Sequence, residues 1–309
     1  MSRTPAPAGA DLHARVAAAI VADLERGVRP WTQPWASHGP VRRLLRATGE
    51  PYSGINVLLL WAAARAAGFT APTWITYRQA QRLGAQVRRG ARGATVVYAN
   101  RMVRTETAPD GGEAERSIRF LKAYTVFNVE QVDGLPEPIR APPPPDPFPG
   151  RLDAVERFFR QAGLEVRQGG DTACYSLGAD QVRMPSFADF QDAGAYYATL
   201  AHEAIHWTRH PRRLDRDLGQ KAWGDPGYAR EELVAELGAA FLCADLGLSL
   251  SPRADHAEYI ADWLAVLNHD KRFVFAAAAH AQRACDFLHG LQKSRGEPAD
   301  AVCSARAAS

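Results

Sequence analysis

The stretch Tyr196-Tyr197-Ala198-Thr199-Leu200-Ala201-His202-Glu203-Ala204-Ile205-His206-Trp207 decides how this 309-residue chain is read. It holds a His-Glu-x-x-His signature. Four residues advance a helix by about 6 Å and only about 40° past a full turn, so His202 and His206 share one face and both rings can reach one ion. Helical context is good: Leu200, Ala201, Ala204 and Ile205 supply an apolar stripe, and no proline falls between Gly194 and His210. Zinc prefers nitrogen ligands at about 2.0–2.1 Å, and a catalytic zinc keeps one position open for water. Glu203, beside the first ligand, is placed to take that water's proton.

A third protein ligand must come from elsewhere, since the first two share a helix. The run from Ala229 to Asp245 is a strong helix former and contains Glu231, Glu232 and Glu236. Glu232 and Glu236 are four apart and share a face. One is therefore a candidate ligand and the other a candidate acceptor for a ligand histidine's free N–H. Leu233, Leu237, Ala240 and Cys243 form the expected buried side, and Glu231, next to Arg230, is expected on a solvated one.

Composition is that of an ordinary soluble chain, 46% hydrophobic and 23% charged, long enough for two cores. The cysteines at 174, 243, 285 and 303 form no Cys-x-x-Cys pair, which argues against a cysteine metal site or redox disulfide. No apolar run approaches the length of a membrane span, and residues 1–10 read as a flexible tail without a signal-peptide core, so the expected location is cytoplasmic, with no membrane partner.

Charge divides the chain. Up to Arg140 there are 19 Lys and Arg against 11 Asp and Glu; beyond it there are 18 against 23. Pro51 to Thr105 contains no acid, yet carries Arg65, Arg78, Arg82, Arg88, Arg89, Arg92, Arg101 and Arg104. Such a run repels itself unless an anion is expected. Aromatic residues lie among these cations. Trp31 and Trp35 sit on a stiff loop between Pro30 and Pro34, and Trp74 and Tyr77 flank a short helix that follows Thr76. Single-stranded nucleic acid is bound by aromatic faces that stack on bases and cations that follow phosphates. Trp31, Trp35, Trp74 and Tyr77 are the candidate stackers, with Arg78, Arg82, Arg88, Arg89 and Arg92 as candidate phosphate contacts. Duplex-reading signatures are absent.

Helices are expected over 11–26, capped by Asp11, and over 57–67, followed by strands over 94–105 and 118–129. The segment 136–150, with Ala141-Pro-Pro-Pro-Pro145 at its centre, reads as a proline-rich linker. It separates an α+β domain over 11–135 from a second domain over 151–293, and 294–309 reads as a disordered tail. In the second domain a helix over 151–162 leads to three short strands. The last of these, Asp180 to Pro185, lies immediately ahead of the His-Glu-x-x-His helix and resembles the edge strand of zincins, which implies a sheet edge to which a peptide could add by backbone hydrogen bonds.

The His202-Glu203-x-x-His206 helix followed by Glu232-Leu-Val-Ala-Glu236 resembles the Glu-zincin arrangement of thermolysin-like peptidases. That resemblance implies Glu232 as the ligand and Glu236 as the residue that orients a ligand histidine. Together with Pro30-Trp31-x-x-Pro34-Trp35, Tyr52-Ser-Gly-Ile-Asn56, Trp74-Ile-Thr-Tyr77, Gly84-Ala-x-Val-Arg-Arg-Gly90 and Trp207, these motifs resemble the ArdC-type antirestriction proteins of conjugative plasmids and the related N-terminal part of TraC-type conjugative primases. The family joins a single-stranded-DNA-binding domain to a zincin-like metallopeptidase domain. It implies single-stranded DNA as a partner and a protein or peptide substrate; by ligand type the expected ion is zinc, with manganese as the alternative. Arg209 departs from the pattern, in which a small residue such as glycine is expected.

Two other readings stand beside this one. The chain could be a non-catalytic DNA-coating accessory protein whose zinc is structural or vestigial, or the accessory part of a conjugative primase. Against polymerisation, the only Asp-x-Asp, Asp215-Arg216-Asp217, lies in an arginine-rich segment after a helix.

Overall fold

The computed structural model describes residues 8–28, 43–107, 113–140, 151–219, 225–248 and 256–294. Trp31 and Trp35, the proposed linker beyond Arg140 and the expected C-terminal tail after Ser294 lie outside them. Contacts divide the chain into two units. Residues Ile260–Ala276 group by contact with the first.

In the first unit, α1 (Ala8–Glu25) starts three residues ahead of the expected cap Asp11, alanine at 8 and 10 being the best of helix formers. Val16, Ala17, Ile20, Val21 and Leu24 recur at helical spacing and are buried. β1 (Leu45–Arg46), α2 (Ile55–Ala67) and β2 (Thr73–Thr76) form a parallel crossover, with Leu45 opposite Thr73. α2 stops at Gly68, which takes the left-handed conformation with φ 71° and returns its N–H to the last carbonyls. Next come α3 (Tyr77–Arg82), held by a Thr76/Gln79 capping box, and β3 (Gln86–Val87).

β4 (Ala94–Thr107) and β5 (Glu113–Asn128) form a long antiparallel hairpin, giving the sheet order β1-β2-β5-β4. Asn56 on α2 secures β4 at its edge, since its side chain exchanges both hydrogen bonds with the Val97 backbone, at 2.7 and 2.9 Å. β6 (Val132–Asp133) pairs with β3, and α4 (Glu137–Arg140) turns part of the expected linker into helix.

The second unit opens with α5 (Arg151–Ala162) and a three-stranded sheet of β7 (Val166–Gln168), β8 (Cys174–Ser176) and β9 (Gln181–Met184). Its order is β7-β9-β8. β9, expected as the edge, is therefore the central strand, parallel to β7 and antiparallel to β8. Its backbone groups are engaged on both sides, and β7 and β8 form the edges.

α6 (Ala193–Trp207) is capped by Asp192, whose carboxylate accepts the Ala195 N–H at 2.7 Å. α7 (Pro226–Leu246) has Asp225 as its cap and proline in its first turn. α8 (His256–His269), most of which belongs to the first unit, and α9 (Phe273–Ser294), which from Ala277 belongs to the second, follow in the chain. No helix among the described residues is long and apolar enough to cross a membrane.

α6 and α7 pack against each other, and Gly238 sets their separation. A Cβ there would come within 2.8–2.9 Å of three carbons of Ile205, a fully buried and β-branched side chain with little freedom to move. Gly238→Ala is therefore expected to push the two helices apart, lowering stability by about 1–3 kcal/mol and weakening metal binding as well. Urea unfolding alongside metal titration checks both.

Candidate functional site

α6 carries His202, Glu203 and His206, and α7 carries Glu231, Glu232 and Glu236. The close approach of the two helices brings the sets together. His202 Nε2 and His206 Nε2 lie 3.1 Å apart, and each is 3.4 Å from an oxygen of Glu232. All three ligand atoms fall within 4.8 Å of one another. A tetrahedral ion with bonds of about 2.0–2.1 Å has ligand-to-ligand edges of about 3.4 Å, so the spacing of this trio fits a divalent metal. Glu203 is 3% exposed.

Each candidate ligand histidine has its own carboxylate behind it. His202 Nδ1 is 3.6 Å from Glu236, within ion-pair reach though long for a hydrogen bond. His206 Nδ1 lies 3.2 Å from Glu231. Glu231, expected on a solvated surface, is 1% exposed. Its carboxylate receives the guanidinium of Arg216 in a two-pronged contact at 2.7 and 2.9 Å, and Arg216 also donates to the Thr208 hydroxyl and the Ile205 carbonyl.

The expected assignment of Glu231 fails because α7 is buried almost all round, leaving no solvated face for it. That apolar density, from Leu233 to Ala244 on every side, was the available signal. Arg216 carried none, since loop residues have no periodicity.

Charge in the cluster is balanced by contact. Burial is the largest influence on Glu231 and works against its ionised form, but Arg216 and then His206 outweigh it and bring its pKa down to about 2. On His206 burial likewise opposes the charge, yet Glu232 and Glu231 together raise its pKa to about 10. Glu232 is driven well below the carboxylate range, His206 and His202 overcoming the effect of burial. A second network steadies the segment that carries Arg216. Arg213 donates to Asp180, to the Tyr175 hydroxyl and to the Trp207 carbonyl, and its guanidinium lies 3.8 Å from the centre of the Trp207 ring.

In the first unit the expected DNA-contacting residues divide. Trp74 is 1% exposed and packs edge-on against Phe69, so it belongs to the core and cannot stack on a base. Tyr77 is exposed and lines an open groove of about 550 Å³ with Arg88, Arg89, Val87, Phe127 and Asp133. Arg78, Arg82 and Arg92 are exposed as well. The arginine run is not without counter-charges, because distant acids reach it: Arg65 pairs with Asp23 at 3.1 Å and Arg88 with Asp133 at 2.8 Å.

Residues 10–127 match the family described as the N-terminal domain of anti-restriction factor ArdC, and 153–280 match a zincin-like metallopeptidase family. The crystal structure of the antirestriction ArdC protein from plasmid R388 is 41% identical in its metal-free form, covering 92% of this chain and 98% of that one with a TM-score of 0.78. Its Mn(II)-bound form is 40% identical, covering 91% and 98%, with a TM-score of 0.74. This chain belongs to the ArdC-type antirestriction family. The uncharacterised protein y4eC of Sinorhizobium fredii is 43% identical over 91% of this chain and 92% of its own length. DNA primase TraC of Escherichia coli is 34% identical over 92% of the chain, which spans 27% of that primase. The ArdC-type fold thus pairs an N-terminal domain with a zincin-like domain that holds the His202, His206 and Glu232 cluster.

Proposed function

We propose that this ArdC-type chain binds single-stranded DNA through its first unit and hydrolyses an amide bond of a protein partner in its second, protecting incoming DNA from restriction. The observation that carries the enzymatic half is the trio of His202, His206 and Glu232 at tetrahedral spacing with a carboxylate behind each histidine. Two nitrogens and one carboxylate oxygen suit zinc, and manganese is the alternative, the ion bound in the similar R388 structure.

A bound divalent ion would supply Lewis acidity and a water acidified toward neutrality. Glu203 would act as general base toward that water and return the proton to the leaving amine. Glu236 and Glu231 fix the ring orientations of His202 and His206. β7 and β8, the edges of the small sheet, are the strands open to backbone pairing by a peptide.

What supports DNA binding is the groove that places Tyr77 beside Arg88 and Arg89, with Arg78, Arg82 and Arg92 exposed nearby in sequence. Binding of an oligonucleotide by the full chain is expected to weaken with salt, with a log–log slope of about −0.7 per phosphate neutralised. Replacing Arg88, Arg89 and Arg92 together by alanine should make the slope shallower by about 2. An unchanged slope would remove them from the interface.

The enzymatic half is tested by Glu203→Ala in a restriction-protection assay. The variant should keep its metal and its affinity for single strands but lose protection. Full protection by Glu203→Ala would mean that coating of the DNA suffices.

A further inference from the structure

The β4–β5 hairpin carries a second aromatic site away from the arginine groove. In its register Val96 faces Tyr124 and Tyr98 faces Lys122, so Tyr98 and Tyr124 are diagonal neighbours on one face. Their rings lie 6.5 Å apart at 73°, making a corner, and the two residues are 49% and 46% exposed.

The corner forms one side of a cavity of about 260 Å³ floored by the buried Val96 and Val126. Tyr52 and Arg46 close another side, the guanidinium lying 5.5 Å from the centre of the Tyr52 ring. Among the described residues, Arg46 is the only charged one lining the cavity. Its pairing with Glu50 is a surface contact with side chains 47% and 66% exposed, a kind of ion pair that an incoming phosphate can replace.

We propose that this cavity holds one unstacked base of single-stranded DNA against Tyr98 and Tyr124, with Arg46 taking the adjoining phosphate. The chemistry is that of single-strand recognition: ring faces for a base of any sequence, one cation for the backbone, and no carboxylate among the described lining residues. A paired base is already stacked on both sides within the duplex and cannot enter, so this site would select single strands where the arginines alone would not. Consecutive residues link the two sites, Thr76 lining this cavity and Tyr77 the arginine groove.

The inference rests on the proposed binding of single-stranded DNA, and the test separates the two. Fluorescence anisotropy is measured with the full chain and a labelled oligo(dT), the same oligonucleotide carrying abasic sites, and a duplex. Tyr98→Ala and Tyr124→Ala should each weaken oligo(dT) binding about 5- to 150-fold, the range that corresponds to stacking one base, without changing the salt slope. Phenylalanine at either position should retain the affinity, which guards against a misfolded alanine variant. On the abasic strand the wild type should lose a similar factor and the alanine variants little more. Duplex binding should be indifferent to both tyrosines.

If the wild type binds oligo(dT) while the alanine variants bind it equally well, the base site is overturned and the arginine groove stands. A loss that persists undiminished on abasic strands overturns it too. A wild type that binds no oligonucleotide overturns both readings.

Discussion

Glu231→Ala is expected to destabilise the metal-free protein by about 3–5 kcal/mol, the usual result of removing one partner from a buried ion pair. Arg216, 5% exposed, would remain as an uncompensated charge between α6 and α7. Guanidinium unfolding of the metal-free protein measures the effect. Because the Glu231 pKa is depressed on folding, the stability that its ionised form contributes is present above its ordinary value of 4.5 and is lost as pH falls toward about 2. The difference between wild type and variant should therefore narrow across that acid window. Replacing both partners, Arg216→Met with Glu231→Leu, should restore most of the stability, since well-packed apolar pairs often match buried ionic ones. It should not restore metal affinity. Without Glu231 at its Nδ1, His206 is no longer held in orientation, a loss that ordinarily costs 10- to 100-fold. Full recovery of both properties in the double variant would reduce Glu231 to a packing role.

The approach of His202, His206 and an acid of α7 was legible in the sequence because helical geometry places the two histidines on one face and a second acidic helix was available; spacing left Glu232 and Glu236 open, and the resemblance to Glu-zincins selected Glu232. What the sequence could not convey were relations between segments distant along the chain. Glu231 looked like a surface acid because its partner Arg216 comes from the segment after α6, where no periodicity fixes position. β9 looked like an edge because strand order is a property of the whole sheet and not of any one strand. The arginine run looked unpaired because Asp23 and Asp133, which neutralise Arg65 and Arg88, lie outside it. Composition marked the first unit as aromatic and basic, yet it could not say which rings face water. Trp74 turned inward with Phe69, whereas Tyr98 and Tyr124, read only as strand residues, turned outward.

Glu232→Ala is expected to leave the protein largely free of metal, the most complete single loss that the geometry implies. Glu232 has oxygens 3.4 Å from each of the two facing ring nitrogens, whereas Glu236 lies 3.6 Å from His202 on its far side, at Nδ1. Glu236→Ala should accordingly keep metal at 10- to 100-fold lower affinity. Plasma emission spectrometry after dialysis against zinc, and separately against manganese, distinguishes the two variants. Proton release gives an independent readout. The metal-free wild type holds a proton on His206 up to a pKa of about 10, so an entering ion must displace it. Calorimetry in buffers of different ionisation enthalpy should count about one proton released per ion at neutral pH, with apparent affinity rising about tenfold per pH unit. A metal-free Glu236→Ala beside a metal-replete Glu232→Ala would exchange the two roles, and it would require α7 to turn so that Glu236, now at the Nδ1 side of His202, faced the ring nitrogens that Glu232 bridges.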